Sequence, residues 1–334
     1  MERRKVQVTG GSTFTVSIPK GWARENGVDA GDEIGFIPDS DSLLLTPSPE
    51  DEVTEGTLDV DGLEGEDLRR ALMTMYVSGF DLVRLTADGI SPGQRRVIRN
   101  ATQGLVGLEV LEETGEEIVV RDLLDSAELS IHNAVERMHR IALSMLADAT
   151  RALRTDDEQL ARDVIERDDD VDRLWYVVSR IFRGALRSPR DAQQIGLSRE
   201  ASFDYHSSAR QLERIADHAA KISHVPLEMD APLPEPVEVG IESLYDEARE
   251  IVETAMEALF ADDPDAATAM ANDARDGVAQ VDEVTRSIDE HLRDLDPHQA
   301  QQIGLVVDSL SRSADYGGNI AETALQKAAP TPNP

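Results

Sequence analysis

Leu212-Glu213-Arg214-Ile215-Ala216-Asp217 is the stretch of this sequence that decides the fold. The same pattern returns further along the chain as Leu310-Ser311-Arg312-Ser313-Ala314-Asp315, and an upstream pair, Val171-Asp172, returns as Val281-Asp282. Within these stretches the apolar residues recur three and four positions apart, which is typical of the buried face of a helix. The repeat therefore predicts two helical halves of similar plan.

A helical period of 3.6 residues extends on both sides of these stretches, from Leu123 to Leu325. Its breaks fall at Thr155-Asp156, Arg187-Ser188-Pro189, Pro226–Pro236, Asp262-Asp263-Pro264 and Asp296-Pro297. These breaks predict six helices, because proline and clustered turn residues end helical segments. We assign three helices to residues 123–228 and three to residues 237–329, and we expect residues 330–334 to be a disordered tail.

The chain before these helices contains short strands. Residues 1–48 alternate apolar and polar side chains around the turn Thr9-Gly10-Gly11-Ser12, with one short helix predicted from Lys20 to Glu25. Pro47 to Glu52 is a linker by composition. Residues 53–122 alternate strand and helix patterns and predict a small α/β domain of unknown role. The predicted fold class is therefore a multidomain α+β protein that is mainly helical.

Acidic residues dominate the charge of the chain. The 334 residues include 66 Asp and Glu against 33 Lys and Arg, for a formal net charge of −33, and the acids are spread along the whole sequence. Such a surface stays hydrated where high salt screens repulsion, so the composition is typical of a haloarchaeal, salt-adapted protein. In high salt a negative total charge does not exclude a nucleic-acid partner.

Several functional classes are excluded by composition. The chain has no Cys, which excludes disulfides, thiolate catalysis and Cys-ligated zinc or iron–sulfur clusters. No apolar run approaches the length that spans a bilayer, and the first residues do not form a signal-peptide core. We expect a cytoplasmic protein without membrane insertion.

Two carboxylate pairs are candidate metal ligands. Asp168 and Asp172 are four residues apart, as are Glu213 and Asp217, and on a helix this spacing places both side chains on one face. Two such helices side by side would offer four carboxylates to one cation of the Mg²⁺, Mn²⁺ or iron type. In so acidic a chain a solvated helix face is the alternative for any single pair. The second half of the repeat has Val278 and Ser311 in place of two of these acids.

The stretch Leu212-Glu213-Arg214-Ile215-Ala216-Asp217-His218 closely resembles the signature helix of the PhoU proteins, and residues 168–174 resemble the Asp-rich stretch of that family. The resemblance covers roughly residues 125–327 and implies two tandem three-helix bundles, a regulator of phosphate uptake, and metal clusters. By position, the implied ligands are Asp168, Asp172, Glu213 and Asp217. The departures in the second half put a second cluster in doubt.

A second resemblance lies at the N-terminus. The run from Thr13 to Lys20, followed by Gly27 to Glu33, resembles the AbrB/SpoVT family over about residues 3–47. The resemblance implies two chains that exchange hairpins, and a segment of this size cannot build a sufficient core alone. It also implies DNA contact by basic residues, for which the candidates are Arg3, Arg4, Lys5, Lys20 and Arg24. A dimerisation module without DNA contact is the alternative.

We therefore predict a regulator of phosphate uptake that binds DNA at promoters of phosphate genes, forms a homodimer through the hairpin, and holds a metal ion. A metal-binding adaptor that regulates a phosphate ABC transporter or a signalling partner by protein contact is the first alternative. A metal-dependent hydrolase is the second. We expect no enzyme and name no catalytic residue, because Gly10-Gly11-Ser12-Thr13 lacks the Lys and the spacing of a phosphate-binding loop.

Overall fold

A computed structural model of the chain describes residues 3–39, 42–47, 53–123, 130–187, 192, 195–229 and 231–330. The chain divides into two compact units, Met1–Val53 and Thr54–Pro334. We call the first the N-terminal unit. Most of the predicted linker and all but the first residue of the predicted tail lie outside the described residues.

The N-terminal unit contains two small antiparallel sheets and one helix. Its elements are β1 (Gln7–Thr9), β2 (Thr13–Thr15), α1 (Lys20–Glu25), β3 (Gly35–Asp39) and β4 (Ser42–Thr46). β1 pairs with β2 and β3 pairs with β4. Gly10 and Gly11 take positive φ in the hairpin turn, a backbone conformation that glycine adopts at little cost. β2 ends at Thr15, which pairs with Gln7, the first residue of β1.

The α/β domain follows the N-terminal unit. It contains β5 (Glu55–Asp59), α2 (Gly65–Val77), β6 (Leu82–Thr86), α3 (Pro92–Gln103), β7 (Leu108–Glu113) and β8 (Glu117–Asp122). The strands form one mixed sheet in the order β5-β6-β8-β7. Ser91 and Gln94 form a reciprocal capping box at the start of α3, as the Ser-Pro pair of the sequence predicts. Leu68 and Leu72 of α2 are fully buried.

Six long helices lie in the described residues from Ile131 onward. They are α4 (Ile131–Thr155), α5 (Glu158–Arg187), α6 (Arg199–His224), α7 (Glu235–Phe260), α8 (Pro264–Leu292) and α9 (Pro297–Ala328). The prediction of two three-helix groups is confirmed, with α4–α6 forming the first repeat and α7–α9 the second. Helix α7 begins inside the proline-rich stretch, because Pro236 occupies its first turn, where its missing N–H costs nothing.

The two repeats share one hydrophobic core. Leu212 and Leu310, the first residues of the two repeated stretches, are both fully buried in it, as are Ala216 and Ala314. The core is aliphatic and rich in alanine, as the low content of aromatic residues requires. Small side chains allow the helices to approach closely, and this places polar residues of neighbouring helices within reach of each other.

Candidate functional site

The first-repeat carboxylates, which we define as Asp168, Asp172, Glu213 and Asp217, lie on the packed helices α5 and α6. Glu213 is buried at 8% exposure, and the other three are half-buried. Helical spacing explains the arrangement, because the two members of each pair lie one turn apart on the same helix. Their chain neighbours Val171, Leu212 and Ala216 are buried. Carboxylates at the edge of an apolar core lose part of their hydration.

Asp172 and Asp217 act electrostatically on both Asp168 and Glu213. The pKa of Asp168 is raised to about 7, first by burial and then by the neighbouring Asp217 and Asp172. The pKa of Glu213 is also raised to about 7, mainly by burial, with the Arg210 guanidinium lowering it and Asp217 and Asp172 raising it. The pKa of Asp172 is raised by burial and by Asp217. Partial desolvation and like charge together disfavour the ionised forms.

One atom of this group has no partner. The Nη1 atom of Arg210 donates to Glu213 Oε1 at 2.6 Å, whereas Glu213 Oε2 is buried and has no hydrogen-bond partner in the described part of the chain. A buried carboxylate oxygen without a partner is costly, and a cation is the partner that would also relieve the repulsion among the four acids. The donor set therefore fits a hard cation in charge and in chemistry.

The side chains have not converged on a point. Across residues 3–330 as far as they are described, no group of three or more His, Asp or Glu side chains is arranged to hold a metal ion. The backbone places the four carboxylates together, but the side chains must rotate before they can share an ion.

The second repeat differs at the equivalent positions. Val278 stands where the first repeat has Asp168, and it packs so close to Gly318 that a Cβ atom there would lie 3.0 Å from Val278 Cγ2. Ser311 stands where the first has Glu213, and its hydroxyl lies 3.1 Å from Thr285 Oγ1. Asp282 and Asp315 remain, and burial raises the pKa of Asp315. Two of the four carboxylate positions therefore carry uncharged side chains in the second repeat.

Helix α5 also carries the contacts that attach the α/β domain. Tyr176, one turn beyond Asp172, lies with its hydroxyl 3.4 Å from Asp172 Oδ2. A further turn along, Arg180 forms ion pairs with Asp122 at 2.7 Å and with Asp81 at 2.8 Å. It also donates to the backbone carbonyls of Tyr76 and Phe80. We did not predict Tyr176 or Arg180, although their four-residue spacing from Asp172 was a usable signal.

The five basic residues proposed for DNA contact are all exposed in the N-terminal unit. Arg4 Nη1 donates to Ser17 Oγ across the hairpin at 3.4 Å. The unit also exposes apolar side chains, with Phe14 at 75% and Val8 at 63% exposure. Among residues 3–38 and 42–47, only Ile37 is buried.

Two regions of the chain, one in the helical part and one in the N-terminal unit, match known protein families. Residues 135–225 match the family described as PhoU domain, and residues 7–52 match the family described as antidote-toxin recognition MazE, bacterial antitoxin. The chain therefore carries a PhoU domain and an N-terminal MazE/AbrB-like domain, which confirms both resemblances. Among curated proteins none matches the chain.

Two solved structures are similar to the helical part. PhoU from Pseudomonas aeruginosa is 22% identical with a TM-score of 0.51, and the match covers 60% of this chain and 96% of that one. The phosphate transport system regulatory protein PhoU from Streptococcus pneumoniae is 19% identical with a TM-score of 0.47, covering 58% and 91%. The first likeness supports the fold of the double bundle. Among the described residues, no helix is long and apolar enough to cross a membrane.

Proposed function

We propose that this protein is a regulator of phosphate uptake that binds promoter DNA as a homodimer and holds a cation in its first helical repeat. The observation that carries the proposal is the presence, on one chain, of a PhoU domain and a MazE/AbrB-like domain. PhoU from Streptococcus pneumoniae is described as a phosphate transport system regulatory protein. We propose a role of the same kind for this chain.

The apolar surface of the N-terminal unit supports the dimer. Seven large apolar side chains of its strands and turns are exposed, namely Val6, Val8, Phe14, Val16, Phe36, Leu43 and Leu44. A monomer that exposes such a surface gains little from folding, whereas exchange of hairpins between two chains would cover it. A version that lacks residues 1–50 should be monomeric by light scattering, while the full chain should be a dimer. Dimerisation of the shortened chain would place the interface elsewhere.

DNA binding is proposed for the basic face of that dimer. Each chain would contribute Arg3, Arg4, Lys5, Lys20 and Arg24, and phosphate contacts by such residues supply most of the affinity for DNA. The acidic remainder of the chain repels DNA, and high salt screens this repulsion but also weakens the phosphate contacts. We therefore expect specific binding of moderate strength.

The test is titration of promoter fragments of phosphate-uptake genes in molar KCl. Wild type should prefer these fragments to random DNA, and Arg4→Ala/Lys5→Ala/Arg24→Ala should remain dimeric but lose binding. The matched control is Arg69→Ala/Arg70→Ala/Arg84→Ala, which removes the same charge from the α/β domain. If the first variant binds as well as wild type, the hairpin only dimerises, and the chain is the adaptor that acts on a transporter by protein contact.

The cation is proposed for the first-repeat carboxylates. Asp168 and Asp172 of α5 and Glu213 and Asp217 of α6 would hold it, with Arg210 keeping the Glu213 side chain in position. A divalent or iron-type ion would supply positive charge that links the two helices. Through Tyr176 and Arg180, the same face of α5 reaches the α/β domain, so cation binding has a route to that domain.

A further inference from the structure

A second charged feature lies on the first repeat, away from the four carboxylates. A cleft of about 370 Å³ opens between α4 and α5 and is lined by Arg137, Arg140, Ile141, Ser144, Arg167 and Asp170. Three arginines and one aspartate line the cleft, in a chain that carries twice as many acidic as basic residues. Arg167 is paired with Asp148 and Asp163, so the charge open to a ligand comes from Arg137 and Arg140. Neither of the two resemblances assigns a role to it.

Helical spacing brings the groups of α4 together. Arg137, Arg140 and Ser144 follow one another at three and four residues, so all three side chains lie on one face of the helix. Arg167 reaches the same cleft from α5, where its Nη2 lies 2.6 Å from Asp148 and its Nη1 donates to Ser144 Oγ at 3.3 Å. These contacts hold the Arg167 guanidinium in place at one side of the cleft. Because the Ser144 hydroxyl accepts in its contact with Arg167, its own proton remains available to a ligand.

The two arginines of α4 are available to a ligand. Arg137 makes no ion pair or hydrogen bond with any residue that the structure describes. Arg140 pairs with Glu136 at 2.6 Å, but both side chains are largely exposed, and exposed pairs of this kind contribute little. Its guanidinium can therefore change partner at small cost. The one carboxylate of the lining, Asp170, opposes an anion and is itself paired loosely with Arg173 at 3.4 Å.

We propose that this cleft binds a tetrahedral oxyanion of the phosphate type, with Arg137 and Arg140 as the charged ligands and Ser144 as a hydroxyl donor. Planar guanidinium groups pair with phosphate oxygens through two parallel hydrogen bonds, and several of them around one cleft match a multiply charged anion. The anion is either free inorganic phosphate or the phosphoryl group of a nucleotide. The interpretation of anion binding as an input signal to the regulator rests on the proposed function. The existence of the binding site does not depend on it.

The test is calorimetric titration of the full chain with inorganic phosphate and, separately, with ADP, in molar KCl with a chelator present. The chelator excludes anion bound through a metal, and chloride competes throughout. Arg137→Ala/Arg140→Ala should weaken binding by about tenfold or more, the loss expected when charge-assisted hydrogen bonds are removed. Asp170→Asn should strengthen it, because the opposing carboxylate is gone.

The matched control is Arg162→Ala/Arg183→Ala, which removes the same charge from α5 at exposed positions outside the cleft and should bind as wild type does. Binding of phosphate alone identifies the free anion as ligand, and much tighter binding of ADP identifies a nucleotide; both support the site. If neither probe binds wild type, or both double variants weaken binding alike, the proposal is wrong. DNA titration without phosphate reports on the hairpin independently of this result.

Discussion

The two helical repeats share a fold but not a chemistry. Both have three helices around the same aliphatic core, and Leu212 and Leu310 occupy equivalent buried positions. The first repeat keeps four partly desolvated carboxylates, whereas the second has Val278 packed near Gly318 and Ser311 beside Thr285. A helix face of this fold can therefore be either an acidic site or ordinary packing. The two repeats differ at two of the four carboxylate positions.

Salt should have the largest effect and should act on both repeats. Because the 66 acidic residues are spread along the chain, their mutual repulsion destabilises the compact state in dilute buffer, and KCl screens it. The midpoint of thermal unfolding, followed by circular dichroism, should rise steadily from low to multimolar KCl. A flat or falling curve would contradict the salt-adapted interpretation of the composition.

Attachment of the α/β domain to the first repeat should give the next largest effect. The Arg180 side chain is 12% exposed and the Asp122 side chain is 5% exposed, so Arg180→Ala removes a guanidinium that pairs with a buried carboxylate. Loss of one partner of such a pair costs about 3–5 kcal/mol, which denaturant unfolding measures directly.

The second repeat supplies the control for this prediction. Arg275 pairs with Glu322 at the surface, and Arg275→Ala should cost less than about 1 kcal/mol. Equal losses in the two variants would show that the contact of Arg180 contributes no more than a surface pair.

The pH dependence of the stability of the metal-free protein should also distinguish the repeats, with a smaller effect. The folded pKa values of Asp168 and Glu213 are about 7, above their ordinary values of 3.8 and 4.5. Folding then favours the protonated forms, so this contribution to stability is present at acid pH and is lost as the pH rises from about 4 to 7.

Asp168→Asn/Glu213→Gln should flatten this part of the pH–stability curve in chelator-treated protein. Asp282→Asn/Asp315→Asn should flatten it less, because the second repeat keeps two acids where the first has four. An unchanged slope in the first variant would show that these carboxylates are hydrated as ordinary surface acids are.

Much of this organisation could be predicted from the sequence. Helical period and proline breaks predicted six helices in two groups, because amphipathic helices leave a regular apolar pattern. The Ser91-Pro92 start of α3 was also predictable, since its capping box is a local interaction. The spacing of Asp168, Asp172, Glu213 and Asp217 indicated the packed helix faces on which they lie.

Other features depend on contacts that no local pattern contains. Arg180 reaches Asp81 and Asp122, far away in the sequence, only because α5 packs against the α/β domain. The cleft of Arg137, Arg140 and Arg167 likewise requires the register of α4 on α5, which the sequence does not specify. The direction of each carboxylate side chain is also set by tertiary contacts such as that of Arg210 with Glu213.

Metal content per chain tests the difference between the repeats most directly. Protein stripped with chelator, reloaded with Mn²⁺ and freed of excess ion should be measured by elemental analysis as wild type, as Asp172→Ala/Asp217→Ala and as Asp282→Ala/Asp315→Ala. Both double variants remove two acids at matching positions of the repeat, so total charge is equal. We predict that wild type and the second-repeat variant retain the same metal content and that the first-repeat variant loses it. Equal metal content in all three proteins would contradict the assignment.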